Sequence, residues 1–288
     1  VLIQALGLEQ ARLIALCGAG GKTTLMFALA REFVAAGERA LVTTTTKIAR
    51  DEAEGWPSFA ATGTDEVLDH ARRLLSQGGR ERGGAVIAYS AAGTERHRLV
   101  GFAPQLVDGL AQARQFDRIL VEADGSARKS LKAPGAHEPV IPAATQALIM
   151  VAGLGGLGLP LVDDNVFRAE IWSRLSGLAL GAPVSAESLA RVAIHAEGLA
   201  RGGPASARKC LFLNQADTPQ RWAEAKRVAE IISAAPDNTV ERAVIAHLLP
   251  RPEIVEVVAL QKSESPRLSR LPGRTPETSV GYRGILST

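Results

Sequence analysis

Cysteine is scarce in this chain: 288 residues include two, Cys17 and Cys210, each inside an apolar run. No metal-ligand spacing joins them, so a disulfide framework and a zinc knuckle are excluded, and buried thiols in a reducing compartment are expected. Long hydrophobic runs are missing too. No stretch approaches the roughly 20 apolar residues of a membrane helix, and no secretory leader pattern is seen, which predicts a cytoplasmic protein with no membrane partner. Net charge is small, at +3, and residues 261–288 hold five basic and two acidic side chains, which account for all of it. The neutral remainder argues against a nucleic-acid partner. That segment is rich in Ser, Pro, Arg and Gly without an apolar period and reads as a disordered tail behind an ordered 1–260. No internal repeat is visible.

What is present is ordinary in bulk, 46% hydrophobic and 22% charged, and long enough to bury a substantial core. Short continuous apolar runs at Arg12–Cys17, Arg39–Thr44, Ala85–Ala88, Arg118–Glu122, Ala147–Val151, Lys209–Leu213 and Ile254–Leu260 read as strands. Helical patterns at Thr24–Ala36, Thr64–Leu75, Ala103–Arg114 and Pro219–Ala235 fall between them. Runs too continuous for one-sided strands, separated by helices, predict an α/β fold: a mostly parallel sheet with helices on both faces. Residues 163–200 read as a small helical insertion.

The first strand and helix are joined by Gly18-Ala19-Gly20-Gly21-Lys22-Thr23-Thr24. Glycines let backbone N–H groups approach phosphate oxygens, a lysine reaches the terminal phosphates, and a threonine hydroxyl joins a magnesium shell. Leu16 stands where the usual P-loop pattern has its first glycine. The remaining Gly-x-x-Gly-Lys-Thr, between strand and helix N-terminus, still predicts ATP or GTP held with Mg2+.

Glu122 and Asp124 follow a buried strand. Asp124 is the expected metal ligand opposite Thr23, with Glu122 orienting a water or joining the metal shell; the other reading is that one of them caps the turn. The run Thr43-Thr44-Thr45-Thr46-Lys47 either terminates a strand or brings Thr45 and Lys47 to the phosphates, the metal or a second substrate. Asn214-Gln215-Ala216-Asp217 resembles the Asn-Lys-x-Asp element of GTP-binding proteins, which implies that Asp217 reads the base. Asn and Asp after a strand are also common turn formers. Arg128, Lys129 and Lys132 suit a phosphate or an acidic cofactor. His137 and Glu138 suit a substrate or metal, His137 being equally readable as a turn residue, and Arg168 is placed in the same cleft.

Taken in order, Gly-Ala-Gly-Gly-Lys-Thr-Thr, Thr-Thr-Thr-Thr-Lys, Val-Glu-Ala-Asp-Gly-Ser, Leu-Lys-Ala-Pro with His-Glu-Pro-Val-Ile-Pro, and the late Asn-x-Ala-Asp resemble the YqeC family over about residues 5–258. The resemblance implies an accessory protein of selenium-dependent molybdenum hydroxylases. The resemblance implies a P-loop NTPase-like protein that assists maturation or cofactor supply. Its partner would then be such a hydroxylase or an enzyme of its selenium or molybdopterin cofactor. Gly18, Gly20, Gly21, Lys22, Thr23, Glu122, Asp124, His137, Glu138, Asn214 and Asp217 match family positions. The chain departs at Gln215, where lysine is more usual, and at Phe167, where histidine is. Two other classes fit the same residues: a small-molecule kinase or ATP-dependent ligase, the shortened loop resembling that of the Mur ligases, and a nucleotide-gated chaperone or adaptor.

Overall fold

The computed structural model describes residues 1–49, 55–77, 84–90, 94–95 and 98–260. Its first half runs α1 (Leu2–Leu6), β1 (Leu13–Gly18), α2 (Lys22–Ala35), β2 (Arg39–Thr44), β3 (Lys47–Ala49), β4 (Ser58–Ala61) and α3 (Thr64–Gln77). There follow β5 (Gly84–Ser90), β6 (Thr94–Glu95), β7 (Arg98–Val100), α4 (Pro104–Ala113), β8 (Arg118–Glu122), β9 (Leu131–Lys132) and β10 (Ala147–Gly153). The remainder is β11 (Val166–Phe167), α5 (Ala169–Ser176), α6 (Ala186–Ile194), β12 (Arg208–Asn214), α7 (Pro219–Ala234), β13 (Arg242–His247) and β14 (Glu253–Ala259).

Among the described residues nine strands form one sheet in the order β14-β13-β12-β10-β1-β8-β2-β5-β4. Only β14 runs antiparallel to its neighbour. β1 and β10 are buried at every position, because helices cover both faces and neither side chain set meets water. Ile14 and Leu16 join Leu29 and Phe33 beneath α1 and α2. Ala15 and Cys17 point the other way, into a core shared with Trp172, Leu189 and Ile232 of α5, α6 and α7. The rest of that face packs under α3 and α4, where Leu13, Leu41 and Val121 meet Val67 and Leu110. The α/β class expected from the sequence is what the chain adopts, a mostly parallel sheet with helices on both faces.

α5 and α6, within the segment read as an insertion, form the connection from β10 to the adjacent parallel β12. The first strand ends one residue later than the apolar run suggests, and α2 starts two residues earlier, at Lys22. α1, β4, β13 and a small antiparallel sheet β3-β7-β6 have no counterpart in the sequence reading. Both cysteines are buried free thiols, and burial pushes the Cys210 thiol up to about 12. No helix among the described residues is long and apolar enough to cross a membrane. The tail expected over 261–288 lies outside the described residues.

Candidate functional site

Parallel strands end on one edge, so Gly18, Thr44, Glu122, Gly153 and Asn214 converge there. The loop from Gly18 to Thr24 crosses this edge and feeds the 14-residue α2. Gly18 has φ +95°, and a Cβ there would lie 2.1 Å from the Val151 carbonyl oxygen. At Gly20, φ +86°, it would lie 2.5 Å from the Gly153 nitrogen. Contact with β10 therefore demands glycine at both. The Gly18 amide donates to Asp124 Oδ2 at 3.0 Å, and Asn214 Nδ2 donates to the Gly20 carbonyl at 2.7 Å. Held so, the loop presents the positive end of α2 to solvent.

Lys22 is buried at the start of that helix. Its Nζ donates to the Gly18 carbonyl at 2.8 Å and stands 3.3 Å from Asp124 Oδ1 and 3.6 Å from Glu122 Oε1. Burial opposes its charge, but the two carboxylates outweigh that and raise its pKa above the ordinary lysine value. The Thr23 hydroxyl donates to Glu122 Oε2 at 2.7 Å. Glu122, not Asp124, is therefore the carboxylate beside Thr23, which reverses the expected order of the two. The cause is local: β8 stops at Glu122, so the two-residue alternation that would aim both side chains alike is broken.

Asp124 lies behind the loop, 2.9 Å from Lys132 Nζ. Lys132 is fully buried and donates also to the Gly125 carbonyl at 2.6 Å and Glu138 Oε2 at 2.7 Å. Arg168 Nη1 donates to the same Glu138 oxygen at 2.6 Å. Burial works against the Glu138 charge, yet hydrogen bonds from Arg168 and Lys132 bring its pKa down to about 2. Lys132, Glu138 and Arg168 thus form an ion chain supporting Asp124, and none of the three expected substrate contacts lines the cavity. His137 is exposed and lies off the cavity.

The cavity over the loop has a volume of about 1700 Å³. Lys22, Thr23, Thr24 and Glu122 line its floor, Arg128 and Lys129 its roof loop, and Asn214 and Asp217 one end. Asp217 is exposed and pairs with Arg221 at 2.6 Å. Asn214 Oδ1 is buried without a hydrogen-bond partner. Gln215 accepts from the Gly155 amide at 2.9 Å, bracing the loop after β10. The threonine run divides: Thr43, Thr44 and Thr45 donate to the carbonyls of Ala88, Glu122 and Val140, so the Thr45 hydroxyl staples the chain to Val140 away from the cavity lining, while Lys47 lines the cavity. Sequence reasoning missed Trp56 and Tyr89, which line the end opposite Asp217; no motif flags them.

Among the described residues no group of three or more His, Cys, Asp and Glu forms a metal centre by itself. Thr23 Oγ1 and Glu122 Oε2, adjacent hard oxygens on the cavity floor, fit an Mg2+ that takes its other ligands from phosphate and water.

The profile of the YqeC protein family matches residues 14–170. This chain belongs to the YqeC family. The protein YqeC of Escherichia coli (strain K12) is 33% identical over 202 residues, covering 70% of this chain and 75% of that one. Among solved structures, the 54 kDa signal recognition particle protein from Aeropyrum pernix K1, in complex with GDP, matches at a TM-score of 0.38 and 14% identity. That match covers 88% of this chain and 48% of the other, about half its length, and is too distant to add to the strand order. The YqeC match contains Lys22, Thr23, Glu122, Asp124, Lys132 and Glu138, whereas Asn214 and Asp217 lie beyond it.

Proposed function

We propose that the protein binds ATP or GTP with Mg2+ across the Gly18–Thr24 loop and acts as a nucleoside triphosphatase. The observation that carries this is the pairing of Thr23 with Glu122 at 2.7 Å, beside Lys22, at the N-terminus of α2. Loop amides and the helix end receive the phosphates. Lys22 exchanges the Gly18 carbonyl for phosphate oxygen, and Asp124 is not left alone when it does, since Lys132 stays at 2.9 Å. Thr23 and Glu122 would hold the Mg2+, which when bound offsets charge on the phosphate oxygens. Asn214 and Asp217, which line one end of the cavity, are the base contacts in this reading. The role we propose, as the resemblance in sequence implies, is a cytoplasmic one that assists maturation of selenium-dependent molybdenum hydroxylases, with such a hydroxylase or its cofactor enzyme as partner.

Calorimetric titration with ATP, GTP and CTP in the presence of Mg2+ tests the reading. Lys22→Ala is expected to abolish binding of all three, and Asp217→Ala to remove any preference for GTP. Undiminished binding by Lys22→Ala would overturn the loop assignment, and an unchanged base preference would overturn the role of Asp217.

A further inference from the structure

A nucleotide laid from the loop toward Asp217 occupies one half of the cavity. In strand order, β1 carries the loop, and β12, with Asn214, lies two places to one side beyond β10. The other half sits over the ends of β2, β5 and β4, where the nucleotide reading assigns no ligand. The volume leaves room for one: about 1700 Å³ against the ~300–1000 Å³ of an ordinary small-molecule site.

The walls of that half are unusual for this chain, which is 4% aromatic with three Trp and two Tyr. One of each, Trp56 before β4 and Tyr89 near the end of β5, lines the cavity while remaining only partly buried. Trp56 is held in place by α2. Its ring stacks on Phe27 at 5.2 Å with a 26° interplanar angle, and the Arg31 guanidinium, one turn further on, lies 5.4 Å from its centroid. Leu99 adds a buried apolar contact, and Lys47 on β3 supplies an exposed cationic side chain at the same end.

We propose that this half is a second-substrate site for a small planar aromatic molecule bearing an anionic group, its ring against Trp56 and Tyr89 and its charge toward Lys47. Aromatic walls select a flat apolar body, and a single cation fixes its orientation. The inference rests on the nucleotide reading only for what the bound molecule would react with, since the terminal phosphate and Glu122 lie between the two halves.

Calorimetry on the full chain saturated with Mg–ADP tests it, with quinoline-2-carboxylate as probe and quinoline-2-carboxamide and cyclohexanecarboxylate as controls. The planar anion is expected to bind about threefold or more tightly than either control. Trp56→Ala is expected to weaken it by about tenfold and the exposed Lys47→Ala by about threefold. Trp56→Leu serves if the alanine variant does not fold. Equal affinities for probe and controls, insensitivity to the Lys47 and Trp56 changes, or displacement of the probe by ADP would each overturn the proposal. ADP titration of the same protein separates the two readings: probe binding without nucleotide binding defeats the nucleotide reading and leaves this site standing.

Discussion

Glu122 and Asp124 stand two positions apart and share the Lys22 ammonium. Glu122 also meets the Thr23 hydroxyl on the cavity floor, whereas Asp124 meets the second buried ammonium, Lys132, and the Gly18 amide. Glu122→Gln is expected to remove the Mg2+ dependence of nucleotide binding and to change urea stability little. Asp124→Asn leaves Lys22 and Lys132 buried without their shared anion, and urea melts are expected to show a loss of about 3–5 kcal/mol. Glu138 yields a pH prediction of definite sign. Its folded pKa, about 2, lies below its ordinary 4.5, so its contribution is present above pH ~4.5 and is lost as pH falls toward ~2. Stability measured across that window is expected to fall less steeply in Glu138→Gln. The loop itself was legible because its chemistry is written in adjacent residues. Lys132 was not: beside Arg128 and Lys129 it reads as a cation for a phosphate or an acidic cofactor, and only the packing of Phe167, its ring centroid 5.7 Å from Nζ, with the three acceptors around it reveals a buried strut.

The elements most legible from sequence are the central parallel strands, since burial on both faces leaves an apolar residue at every position. β4 and the β3-β7-β6 sheet are short and mixed in polarity, so nothing in their composition separates them from loop. The expected start of α2 at Thr24 is set by the first apolar residue, Leu25, but the polar Lys22 and Thr23 already lie in the first turn, where the apolar period carries no signal. This junction between β1 and α2 is where an element-scale change should cost most. In Gly18→Ala the new methyl would meet the Val151 carbonyl at 2.1 Å in a left-handed conformation. Neither strand end has room to yield, because Ala19 also donates to that carbonyl at 2.8 Å. Urea denaturation is expected to show a loss of about 3 kcal/mol or more. The cap of α7, where Thr218 accepts from the Arg221 amide, is a milder comparison, with Thr218→Ala costing about 1 kcal/mol.

At the scale of the molecule, α5 and α6 share one buried cluster with β1, β10, β12 and α7. Trp172 of α5 is fully buried in that cluster, and Cys17 of β1 donates to the Leu199 carbonyl just past α6. A segment that packs this way has no core of its own to keep when the sheet opens. In a Trp56→Phe, Trp222→Phe background, the Trp172 fluorescence transition in urea should therefore coincide with the loss of helix and sheet followed by circular dichroism. An earlier Trp172 transition would show 163–200 to be an independent unit. Ligand linkage extends the same test, because the loop joins β1 to the core from above. Mg–nucleotide at 100 times its Kd should shift both probes together by about 2.7 kcal/mol. A shift confined to one of them would mean that the site and the α5–α6 segment belong to separate cooperative units.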